Sequence, residues 1–144
     1  MNIYSITNII DFTKDLSGTN EITADSEICD GIGLCGDDFH EFIDKFASEF
    51  HVDMSGYLWY FHAAEEVGWN SIGGIFFDPP YKRVKRIPVT VSMLLDFANE
   101  GKWDIIYPEH KVPKRRYDIL INQILVLGFI TWVLIWFLLK MIRK

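Results

Sequence analysis

The 144-residue chain has only two cysteines, Cys29 and Cys35, too few for a disulfide-built scaffold. Its five prolines and ten glycines are scattered, and neither a low-complexity tract nor an internal repeat is present. A hydrophobic content of 49% excludes a disordered chain. With 20 acidic against 14 basic side chains, net charge −6, the chain also lacks the overall basic balance of a dedicated nucleic-acid binder. The length fits one domain with an appendage.

Basic residues are scarce in one half and abundant in the other. Residues 1–80 hold 15 Asp/Glu and just Lys14 and Lys45, a balance of −13. Residues 81–144 hold 12 Lys/Arg and five Asp/Glu, a balance of +7. This split suggests an acidic working surface followed by a basic, membrane-proximal region.

From Ile124 to Leu139 no residue is ionisable, and Thr131 carries the only hydroxyl. Sixteen residues make about 24 Å of helix, and extension over 119–142 gives about 36 Å, enough for a hydrocarbon core of about 30 Å. The expectation is a transmembrane helix over 119–142, preceded by a basic linker over 108–118. Lys111, Lys114, Arg115 and Arg116 would face anionic headgroups. Met1–Leu16 has neither the basic nor the apolar region of a secretory signal. The positive-inside rule then favours a cytoplasmic domain on a single-pass span in a bacterial inner membrane. In that compartment Cys29 and Cys35 read as reduced, buried thiols.

Residues 1–107 read as a mainly helical soluble domain. Ile3, Ile6, Ile9 and Ile10 predict a first helix over Asn2–Lys14, closed by turn formers at Ser17–Asn20. Residues 21–34 read as a long acidic loop. Phe39, Phe42, Ile43, Phe46 and Phe50 fall at i, i+3, i+4, i+7 and i+11, one apolar helical face, with Asp37 as expected N-cap. Residues 51–87 read as an irregular insertion, with Tyr57–His62 a strand or short helix and Gly73–Phe77 a turn and strand that would allow a short hairpin. Thr90 and Gly101 predict the caps of a further helix.

This order resembles an acyl carrier protein. Asp30, Gly33, Asp38, Glu41, Phe42, Glu49 and Phe50 match the places of that family's D-L-G-x-D-S-L-D-x-x-E-L segment and the E-E-F that follows it. Pro88–Ala98 looks like the family's last helix. The arrangement, including Gly36-Asp37-Asp38 and the lengthened middle, is similar to a small bacterial domain family of unknown function regarded as carrier-like. The resemblance implies recognition through acids on the second helix, here Asp37, Asp38, Glu41 and Asp44. It also implies a phosphopantetheine serine, but Gly36 stands at that place and has no hydroxyl. No phosphopantetheine is therefore expected. Ser26, in Ala24-Asp25-Ser26, is the alternative attachment point, although no amphipathic helix follows it.

The expected function is a non-enzymatic, membrane-anchored adaptor. Its acidic helix would dock on a partner with a basic patch, such as a membrane enzyme of lipid or envelope metabolism. Two alternatives are a true carrier with an unorthodox serine, and a small structural or immunity-type protein acting through its membrane helix. Asp37, Asp38, His40 and Glu41 do not make a metal site on spacing, since neighbours on a helix point apart. His62, Glu65 and Glu66 read as a solvated cluster, and Lys82–Arg86 as pairing with lipid or with the domain's own acids.

Overall fold

Five apolar side chains at helical spacing give α2, Gly36–Phe50, and all five are buried. In the computed structural model, which describes residues 3–65 and 71–143, the other helices are α1 (Ile6–Ser17), α3 (Ile72–Phe76), α4 (Val91–Glu100) and α5 (Tyr117–Ile142). Short 3-10 turns cover Trp59–Phe61 and Pro80–Arg83. The protein is mainly helical, and among the described residues its only β pairing is two isolated bridges. Asn2 and Glu66, used in the sequence reading, lie outside the described residues.

Local signals set the helix ends. α1 starts at Ile6 rather than Asn2 because Ser5 and Asn8 form a reciprocal capping box: the Asn8 amide donates to Ser5 Oγ (3.4 Å) and the Ser5 amide to Asn8 Oδ1 (2.8 Å). Gly18, at φ 69°, closes the helix in the left-handed region. α4 has the expected caps, Thr90 and Gly101. α1 packs on α4, and Asn99 exchanges hydrogen bonds with the backbone of Tyr4 at 2.8 and 3.2 Å. Phe39, Phe42 and Phe46 then meet Ile9, Ile28, Val91 and Leu94 in one core.

The segment before α2 departs from expectation in two ways. Cys29 and Cys35 are not free thiols; they form a disulfide closing the 29–35 loop. Cys35, not Asp37, is the N-cap of α2, and Asp37 and Asp38 fall in its first turn. Acids there still suit the helix dipole. The Gly31 and Ile32 amides donate to the Glu27 carbonyl at 3.1 and 2.9 Å, and Arg86 pairs with both Glu27 and Asp30. Lys82–Arg86 thus uses its last residue on the domain's own acids.

The insertion contains no hairpin among the described residues. Where Gly73–Phe77 predicted a turn and strand, α3 forms instead, because Ser71 Oγ accepts the Gly74 amide as an N-cap (2.9 Å). Gly73 lets this helix lie directly on α5: a Cβ there would stand 1.9 Å from the Asp118 carbonyl oxygen. The Gly73 amide donates to Asn122 Oδ1 at 2.9 Å, and Asn122 Nδ2 donates to Ser71 Oγ at 2.6 Å. Small-residue packing and a side-chain amide thereby bind the insertion to the apolar helix.

Candidate functional site

The two faces of α2 differ completely. Its phenylalanines are inside, while Asp37, Asp38, Glu41 and Asp44 are all exposed. Asp38 and Glu41 line a groove of about 270 Å³ together with Leu16, Ser17, Leu34, Phe42 and Lys45. Lys45 Nζ lies 2.6 Å from Glu41 Oε1 and holds the Glu41 carboxyl below its ordinary range by hydrogen bonding and charge. This cation tempers the acidic face at one point. Asp37 does not join the groove; it borders a different cavity near α5.

Gly36 opens α2 buried and at φ 56°. That is the left-handed region, where any side chain other than glycine is strained by about 1–3 kcal/mol. A serine hydroxyl at this place is thus disfavoured by the backbone as well as absent. Ser26 Oγ is occupied within its own turn, accepting the Thr23 amide at 3.0 Å and lying 3.2 Å from Thr23 Oγ1. At Gly36 itself there is no hydroxyl to hold a phosphopantetheine arm. Cys29, Asp30 and Cys35 lie together, but the disulfide removes both thiolates as metal ligands.

His62 is not a solvated group; it is 1% exposed. It stacks between Phe39 and Tyr57, at centroid distances of 6.5 and 5.6 Å. Its Nδ1 lies 2.9 Å from the Ile87 carbonyl, which can only accept, so the proton sits on Nδ1. Nε2 then accepts from the Tyr107 hydroxyl at 2.8 Å. The Tyr107 oxygen in turn accepts from Trp103 Nε1 (2.9 Å) and the Leu58 amide (3.2 Å). Burial pushes the imidazole down to about 4, with the Arg86 charge acting the same way against the Ile87 hydrogen bond. This neutral, saturated network is a structural pin between the insertion and the segment after α4.

A second polar cluster stands where α5 leaves the domain. Arg116 is not a free headgroup ligand: its two terminal nitrogens reach Glu65 at 2.8 and 2.6 Å, and it also bonds Asp118 at 2.6 Å. These carboxylates raise the Arg116 pKa, so the guanidinium stays charged. Lys111, Lys114 and Arg115 remain exposed. The cluster rims an open cavity of about 700 Å³ whose other wall is Ile119, Val126 and Leu127 of α5. Every residue from Ile124 to Leu139 is exposed, and Leu127 is 63% exposed. By length and composition α5 is able to cross a membrane.

The family described as "Protein of unknown function (DUF1493)" matches residues 4–107, and the chain belongs to it. The match takes in α1–α4 and stops before α5. No curated protein and no solved structure matches the chain.

Proposed function

We propose that the protein is a non-enzymatic, membrane-anchored adaptor of acyl-carrier-like build. Its α2 face docks on a partner carrying a basic patch, and α5 holds the domain at the bilayer. The observation that carries this reading is the groove in which Asp38 and Glu41 stand beside Leu16, Leu34 and Phe42. Such a surface offers charge for orientation and apolar edges for contact. The carrier-like part rests on the pattern from Asp30 to Phe50, with Gly36 where an arm would attach. On this reading the domain scaffolds or regulates its partner, such as a membrane enzyme of lipid or envelope metabolism, and carries no cargo.

Co-purification from crosslinked native membranes tests the face. The full chain with Asp38→Lys and Glu41→Lys loses its partner, whereas Asp96→Lys with Glu100→Lys, an equal charge change on exposed acids of α4, keeps it. Equal loss in both variants would reduce the effect to net charge. Intact mass tests the missing arm: co-expression with a phosphopantetheinyl transferase adds no mass.

With Arg116 paired to Glu65 and Asp118, the free cations Lys111, Lys114 and Arg115 before α5 equal Lys140, Arg143 and Lys144 after it, so charge balances a cytoplasmic domain in a bacterial inner membrane against the opposite orientation. The Cys29–Cys35 bond belongs more naturally to an oxidising compartment. Alkylation of thiols in intact cells decides between them: the cytoplasmic placement requires both cysteines to be trapped reduced.

A further inference from the structure

α3 and the residue after it carry four apolar side chains that the domain leaves uncovered. Ile72, Ile75, Phe76 and Phe77 are 51%, 78%, 71% and 40% exposed. For so short a segment this is a concentrated apolar patch, and water is a poor solvent for it. Its position is fixed by α5. Gly73 sits against Asp118 and bonds Asn122, and Phe77 packs on Tyr117 at a centroid distance of 5.6 Å. The unbroken apolar run begins at Ile124, two residues beyond Asn122, or about 3 Å along the helix axis. The patch therefore flanks the point where α5 turns from polar to apolar. Lys114 and Arg115, just before α5, and Lys82, just after the patch, are exposed cations in the neighbouring chain.

We propose that α3 is a second lipid contact. It lies in the headgroup layer beside α5, Ile75 and Phe76 reach the upper acyl chains, and the flanking cations meet anionic headgroups. This rests on α5 spanning the bilayer, and it makes the contact continuous with that span. Two attachment points hold a domain in one orientation, where a lone helix would leave it free to swivel. The bonds from Ser71 and Gly73 to Asn122 transmit the constraint.

The test uses the full chain in vesicles of phosphatidylcholine and phosphatidylglycerol, with an environment-sensitive label on a single introduced thiol. Phe76→Cys reports α3, Val133→Cys the middle of α5, and Glu100→Cys an exposed position at the end of α4. Spin-labelled lipids with the quencher near the headgroup should quench the label at 76 by about two-fold or more. The label at 133 should respond to deep quenchers, and the label at 100 to neither. Quenching at 133 with none at 76 overturns the proposal while leaving the span intact. No quenching at 133 removes the span and the proposal with it. A label at 76 shielded from aqueous iodide but untouched by lipid quenchers means that a second copy covers α3, which also overturns it.

Discussion

α2 and α5 are both rich in large apolar side chains, yet they solve opposite problems. α2 hides every one of its phenylalanines and shows water its acids. α5 shows its apolar side chains on all sides, and its only buried residue is Asp118. The first pattern is that of a helix between a protein core and water. The second leaves its apolar side chains uncovered among the described residues, as a helix able by length and composition to cross a membrane does. The comparison teaches that hydrophobic content alone says little, and that the angular distribution of apolar residues separates a helix packed on a core from one apolar on all sides.

The largest expected effect comes from emptying the core side of α2. Phe46→Ala should lower the domain's unfolding free energy by about 3–5 kcal/mol, whereas Leu134→Ala in α5 should change it by less than about 0.5 kcal/mol. Thermal unfolding of the full chain in detergent reads both. Comparable losses in the two variants would mean that α5 packs into the domain after all.

Next is acid. His62 is buried neutral and its pKa falls to about 4 from an ordinary 6.5. Below pH 6.5 the unfolded chain takes up a proton that the folded one resists, so stability falls as pH falls, on the order of 3 kcal/mol by pH 4. Above pH 6.5 this group contributes no pH dependence. His62→Gln should flatten that part of the stability profile even if the variant is less stable at neutral pH. The pin joins residues from the insertion and the 103–107 segment, and acid should loosen those before it touches α5.

Smaller again is the loop that presents α2. Cys29→Ser with Cys35→Ser opens a seven-residue ring and should cost about 2 kcal/mol, read as a lower melting temperature. Smallest in stability is the outer face itself. Asp38→Lys with Glu41→Lys gives up the helix-dipole contribution and the Lys45 pairing, so the melting temperature should fall by a few degrees, less than for the cysteine pair, while partner recovery collapses. A large stability change there would show that these acids support the fold, and the face would lose its standing as a docking surface.

The local part of this architecture was legible in the sequence. α2, α4 and the length of α5 follow from periodicity, from Thr90 and Gly101, and from an uncharged run, all of which act within a few residues. What escaped was made by distant partners. His62 meets Ile87 and Tyr107 across 25 and 45 positions, and Arg116 meets Glu65 across 51. No spacing rule encodes such pairs. α3 was hidden differently: Gly-Gly suggests a turn, the Ser71 cap makes it a helix, and the proximity of the Asp118 backbone explains why residue 73 has no side chain. The expectation of reduced thiols rests on compartment, read from the missing secretory signal and from charge, and no spacing rule shows that the 29–35 loop brings the two cysteines together. Asp37, Asp38, Glu41 and Asp44 are all exposed, but nothing local separates Asp37 and Asp44 from the groove that Asp38 and Glu41 share.

The central claim is that the domain's acidic face does the work and α5 is its tether. Exchanging residues 124–142 for an unrelated apolar span of equal length, with Asp118 and Asn122 retained, tests it most directly. Crosslinking in native membranes should then capture the same partner as the parent chain. Loss of that partner from a chain that is still folded and membrane-bound would place recognition in α5 and contradict the account.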